Sequence, residues 1–164
     1  MAKKEDEKTN VMRVLDQKKI TYKHYCYIKH GDEVTTNGVE IATLLGEDVS
    51  KVFKTLVTVA KSGQHYVFMV PVARELDLKK AAKAVKEKSI DMIPQKELLP
   101  LTGYIHGGCS PIGMKKTFPT TIDESASGFD TIIFSAGKVG YQVEVSPEDL
   151  SKVVRINFAD ICVE

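Results

Sequence analysis

The chain has 164 residues, 43% of them hydrophobic and 27% charged, which is enough for a packed core without a metal or disulfide to hold it. Lys and Arg total 23 against 22 Asp and Glu, a net charge of +1 that excludes a polybasic coat for nucleic acid. Three cysteines, Cys26, Cys109 and Cys162, exclude a disulfide framework, and the charged start MAKKEDEKTN has no apolar stretch of the secretory kind. The longest run without Asp, Glu, Lys or Arg, Leu98 to Met114, holds four glycines and two prolines and cannot span a membrane. These features predict a cytoplasmic protein, with no membrane and no metal among its partners.

Residues 1–8 read as a charged tail, and residues 9–164 as one domain. Thr9 or Asn10 caps a helix carrying Val11, Val14 and Leu15. Ile20 to Ile28 alternates like a strand. A loop, HGDEVTTNG, leads to a short helix around Ile41 to Leu45 that Gly46 stops. Val52–Ala60 and His65–Val70 predict a hairpin turning at Ser62-Gly63. Asp77 caps an amphipathic helix with Leu78, Ala81, Ala82 and Val85 at helical spacing. Ile90 to Ile93 is a short strand, and Pro94 opens a helix expected to end before Pro100.

Thr131–Ser135 and Gly140–Val145 predict two strands, Ser146-Pro147 a helix start, and Val153–Ile156 a last strand. Strands with interspersed helices predict an α/β fold: a single domain with a mixed, barrel-like sheet surrounded by helices.

Charge is uneven along the chain. Between Lys51 and Lys116 there are 12 Lys and Arg against 5 Asp and Glu, or +7, and the remainder carries −6. A cationic middle can meet phosphate while the whole molecule stays near neutral. The same lysines also read as the solvated face of the helix after Asp77.

Lys54 stands inside the apolar run Val52-Phe53-Lys54-Thr55-Leu56-Val57. Its stem could lie along a solvated strand face, or its ammonium could line a pocket and hold a phosphate or polarise a carbonyl. Both readings stay open from the residues alone. Gly103 to Gly113 packs four glycines and a proline into eleven residues, an irregular backbone whose N–H groups can approach a ligand or an oxyanion. It lacks the Walker pattern. Cys109 and His106 suggest a thiol hydrolase only with a third orienting group, and the sequence supplies none. His24 and Cys26 share a strand face without a second ligand pair, so zinc is disfavoured. The carboxylate pairs Asp32-Glu33 and Asp123-Glu124 read as solvated. No protein nucleophile stands out.

The segments VFKTL at 52–56, PVARELDLKKAAKA at 71–84, TGYIHGGCSPIGMKK at 102–116 and SAGKVGYQVEV at 135–145 resemble the YbaK family of aminoacyl-tRNA deacylases, relatives of the prolyl-tRNA synthetase editing domain. The likeness runs from about Val11 to Ile161. It implies the editing-domain fold and hydrolysis of a wrong amino acid from tRNA, with Cys-tRNA(Pro) as leading substrate. Deacylation of alanine or serine, and a non-catalytic tRNA- or synthetase-binding module, are the alternatives.

Carried onto this chain, the family's lysine falls on Lys54 with Thr55 beside it, its first paired glycine on Gly107, its serine on Ser135 and its tyrosine on Tyr27. Gly107 and Gly108 are the expected oxyanion donors, and Tyr104 an expected substrate contact. Many relatives carry aspartate where this chain has Gln142, an amide that cannot ionise. The resemblance implies no cofactor, aminoacyl-tRNA as substrate and prolyl-tRNA synthetase as a partner.

Overall fold

The computed structural model describes residues 8–27 and 37–164. The expected tail apart from Lys8, Ile28 and the Asp32-Glu33 pair lie outside them. The first helix, α1 (Asn10–Gln17), is capped by Thr9, whose hydroxyl accepts from the Met12 N–H, and it buries Val11, Met12 and Leu15. A short strand follows, β1 (Lys23–Cys26), half the length its alternation predicts. Helix α2 (Gly38–Leu45) ends at Gly46 in the left-handed region, as expected of a glycine stop.

Strands β2 (Phe53–Ala60) and β3 (His65–Pro71) form the predicted hairpin. In α3 (Leu78–Ala84), Asp77 accepts from the N–H groups of Lys79 and Lys80. After β4 (Ile90–Met92) comes α4 (Gln95–Thr102), which runs through Pro100 instead of stopping before it. Only one intrahelical N–H is lost, at an exposed turn. The helix closes through the Thr102 hydroxyl donating to Leu98 O at 2.7 Å and Gly103 N–H to Leu99 O at 2.8 Å.

Strand β5 (Thr120–Asp123) has no counterpart in the sequence reading. Strands β6 (Ile132–Ser135) and β7 (Tyr141–Val145) match it, Ser146 caps α5 (Pro147–Leu150), and β8 (Ile156–Ala159) starts three residues later than the expected last strand and shares only Ile156 with it.

The strands make two sheets, ordered β1-β7-β6 and β4-β2-β3-β5-β8. The first is antiparallel throughout. In the second, β3–β5 and β5–β8 pair in parallel. A bridge between Val52 and Ile133 ties the sheets where β2 begins. Alternation along β2 sends Phe53 and Val57 into the central core with α1, Phe134, Tyr141 and Val143, and sends Leu56 toward a second core under α3. Each fully buried aliphatic or aromatic side chain contributes roughly 1.5–3 kcal/mol, and the two cores together hold β2 from both faces. The start of that clamped strand carries Lys54 and Thr55. No helix among the described residues is long and apolar enough to cross a membrane.

Candidate active site

Where the sheets meet, a cleft of about 360 Å³ opens between the start of β2, the end of β6, the start of β7, the N-terminal turn of α2 and the glycine loop. Lys54, Thr55, Tyr27, Gly107, Ser135 and Gln142 all border it. Six of the eight expected site residues are therefore brought together. The Lys54 side chain is 29% exposed, and its Nζ lies 3.5 Å from Oε1 of Glu75, which is 81% exposed. Its stem is sheltered while its charge faces the cleft mouth, and the carboxylate beside it is a solvated one. Thr55, next along the strand, has a buried hydroxyl oxygen with no hydrogen-bond partner.

Gly107 sits at the third position of the turn Ile105–Gly108 with φ at 85°. That conformation suits glycine in a tight turn. No backbone carbonyl among the described residues accepts its N–H. Gly108 is different. Its N–H closes the turn by donating to Ile105 O at 2.9 Å, and it does not border the cleft. The expectation that both glycines present donors is corrected: Gly108 is there because the backbone of Lys138 and Val139 comes too close for a side chain. A Cβ at that position would lie 3.0 Å from Val139 N.

Tyr104 is corrected as well. It is buried in the central core, its ring against Gly137, and its hydroxyl donates to Ile112 O at 2.5 Å. It braces the glycine loop against the β6–β7 turn and does not reach the cleft.

Tyr27 is 8% exposed, and its N–H donates to Gly140 O at 2.8 Å. Burial pushes its phenol above the usual value, so it is a neutral donor. Ser135 accepts from Gly137 N–H at 3.1 Å and pairs across the sheet with Gln142. Cys109 borders the cleft, but burial pushes its thiol up to about 12, too high for a thiolate nucleophile at neutral pH. Asp123, expected in solvent, is buried at 2% exposure: it accepts from the N–H groups of Ser125 and Ile161 and faces Arg74 at 3.7 Å. Among the described residues no cluster of three or more His, Cys, Asp or Glu could hold a metal ion.

A network on the outer face of the β1-β7-β6 sheet escaped sequence reasoning. Glu144 accepts from Tyr25, Thr131 and Lys51, the last at 2.9 Å. Burial acts to raise its carboxyl, but these hydrogen bonds and the Lys51 charge outweigh that and hold it down to about 2. Beside it, Glu47 faces the Gln142 amide. The alternation of β7 hinted at Glu144, by placing it with Gln142 opposite Tyr141, Val143 and Val145, and nothing in the sequence pointed to Glu47.

Residues 32–153 match the model of the aminoacyl-tRNA editing domain. The chain belongs to that family. This editing domain is 45% identical over 159 residues to EbsC of Enterococcus faecalis, a protein proposed to be a Cys-tRNA(Pro)/Cys-tRNA(Cys) deacylase. The match covers 97% of this chain and 96% of that protein. Among solved structures it is similar to one proposed to be a trans-editing enzyme for prolyl tRNA synthetase (TM-score 0.79, 23% identity, 96% of this chain and 100% of that one). It is also similar to a hypothetical protein with TM-score 0.81 and 21% identity, covering 94% of this chain and all of the other. Those two likenesses establish the fold, and it is the editing-domain fold the sequence segments implied.

Proposed function

We propose that this editing domain acts in trans to hydrolyse the ester between a wrongly attached amino acid and tRNA, with Cys-tRNA(Pro) as its main substrate. The observation that carries the reading is a sheltered cation, Lys54, and the N–H of Gly107, which no backbone carbonyl among the described residues accepts, on one cleft whose cysteine, Cys109, is held un-ionised by burial. The 45% identical relative, proposed to act on Cys-tRNA, supports it.

An aminoacyl ester is already labile, so orientation and oxyanion stabilisation suffice. The cleft volume lies within the roughly 300–1,000 Å³ typical of small-ligand sites and suits the terminal aminoacyl-adenosine rather than the tRNA body. In this reading Lys54 holds the terminal phosphate, Gly107 N–H receives the oxyanion, Tyr27 and Thr55 border the sugar and side chain, and Ser135 and Gln142 surround the amino group. The cysteinyl thiol attacks its own carbonyl carbon, its proton passes to the ribose oxygen as the carbon–oxygen ester bond breaks, and water adds to the resulting thiolactone carbonyl, opening it to free cysteine with the thiol restored. A substrate-borne thiol gives selectivity that pocket size alone, worth roughly 1–3 kcal/mol per methylene, does not.

The relative proposed to act on both Cys-tRNA(Pro) and Cys-tRNA(Cys) fits a site that reads the amino acid more than the tRNA. Selection of tRNA(Pro) is then assigned to prolyl-tRNA synthetase as a partner, testable by co-purification of the two proteins with and without tRNA.

The decisive experiment is release of amino acid from a panel of cysteinyl-, alanyl-, seryl- and prolyl-tRNAs by wild type and Lys54→Ala. A cation near 4 Å from a phosphate interacts by about 4 kcal/mol at an effective dielectric of 20, and screening at the cleft mouth reduces this, so kcat/KM is expected to fall roughly 30- to 1,000-fold. The exposed partner Glu75 makes the Lys54 ion pair worth about 0–1 kcal/mol, so the variant stays folded. Equal rates from the two proteins would refute the role of Lys54. Preference for a thiol-free ester would refute the internal-thiol route.

A further inference from the structure

Gly46 closes α2 in the left-handed region, and the Glu47 N–H turns back to Ala42 O at 2.8 Å. This brings the Glu47 side chain beneath the helix and against the outer face of the β1-β7-β6 sheet. It meets Gln142, which is 5% exposed and borders the cleft that Glu47 itself does not reach. With the amide nitrogen toward the carboxylate, Gln142 Nε2 donates to Glu47 Oε2 at 2.8 Å and Oε1 at 3.2 Å; the reverse orientation sets the amide oxygen against acceptors.

An ionised carboxylate accepts and cannot donate, so it admits only one of the two amide orientations. The orientation it admits turns the Gln142 carbonyl oxygen away from Glu47. We propose that Glu47 is a positioning residue: its carboxylate locks the Gln142 amide so that the carbonyl oxygen is the group offered to the cleft, as acceptor for the α-ammonium of a bound aminoacyl group. The proposal rests on the deacylase reading above and deepens it. This chain presents an amide to the cleft with a carboxylate behind it. The substrate's ammonium thus meets a neutral acceptor of fixed polarity.

The lock is titratable. Burial pushes the Glu47 carboxyl up to about 7, with Glu144 adding to the effect and the Gln142 hydrogen bond and Lys51 opposing it. The charged and titratable groups around it are Glu144 on β7, Lys51 in the turn before β2, and the Tyr25 phenol on β1. Once protonated, Glu47 gains a donor that tolerates the carbonyl oxygen, and the amide is free to reverse.

The test has two arms. In the ligand-free protein, the side-chain NH₂ resonances of Gln142, assigned by their loss in Gln142→Ala, are followed by nitrogen-edited NMR between about pH 5.5 and 8.5. They are expected to inflect near the Glu47 titration in wild type and to lose the inflection in Glu47→Gln, whose spectrum also reports that it is folded. In the second arm, deacylation of Cys-tRNA(Pro) by Glu47→Gln at about pH 8 is expected to show KM raised roughly five- to tenfold with kcat within about twofold of wild type. A Gln142 resonance without the inflection, or with one that survives in Glu47→Gln, overturns the lock. An unchanged KM overturns the assignment to the ammonium. Absence of turnover by wild type on any aminoacyl-tRNA removes the deacylase reading and the ammonium with it, while the resonance still decides whether Glu47 sets the amide.

Discussion

Replacing Gly108 by alanine adds one methyl group where the glycine loop presses on the β6–β7 turn. The new carbon would lie 3.0 Å from Val139 N, 3.3 Å from Lys138 C and 3.4 Å from Lys138 Cα. All three are backbone atoms, so no rotamer change relieves the contact, and one loop must retreat by a few tenths of an ångström. Overpacking of this kind costs about 1–3 kcal/mol. For a chain of this size each kcal/mol lowers Tm by roughly 2–4 °C, so a drop of about 2–12 °C is expected. The retreat also separates Gly107 on one loop from Ser135 beside the other, and misplacement on that scale is expected to reduce kcat/KM roughly three- to tenfold. Thermal unfolding and Cys-tRNA(Pro) deacylation on the same preparation measure both. A Gly108→Ala protein with wild-type Tm and wild-type turnover would refute the close-approach argument.

Tyr104→Phe removes the 2.5 Å bond to Ile112 O in a buried setting and is expected to destabilise by about 1–3 kcal/mol in urea unfolding, with KM unchanged, because the ring braces the loop and does not meet substrate. Cys109→Ala is expected to keep turnover within about threefold of wild type, since the thiol is not ionised; loss of all activity would restore the thiol-hydrolase reading. Glu144 is held down to about 2 from an ordinary 4.5, so the stability it adds is full above pH 4.5 and is lost as pH falls toward 2. Urea midpoints measured down that range should therefore fall more steeply for wild type than for Glu144→Gln.

Much of the candidate site was legible in the sequence because its signals were local. A lysine inside an apolar strand and a dense glycine loop identify themselves without knowledge of the fold, and Lys54 and Gly107 do share the cleft. Capping was equally readable: Thr9, Asp77 and Ser146 each accept from the N–H groups that their positions predict. What was missed depends on partners distant in the chain. Strand β5 consists of two threonines, an isoleucine and an aspartate, and only its position between β3 and β8 makes all four residues buried. Tyr104 looks like a binding aromatic until Gly137 and Ile112 are seen to enclose it. Glu47 is one more helix-end carboxylate until β7 brings Gln142 to it.

The pairing of β1 with β7 joins Lys23 to Glu144, segments far apart in the sequence. A topology with this much non-local pairing assembles slowly, because distant segments must meet before their contacts stabilise one another. A nascent chain halted before β7 lacks Tyr141 and Gln142, and with them one wall of the cleft. Synthesis must therefore pass almost to the final strand before this molecule can inspect the very class of adaptor from which the ribosome is building it.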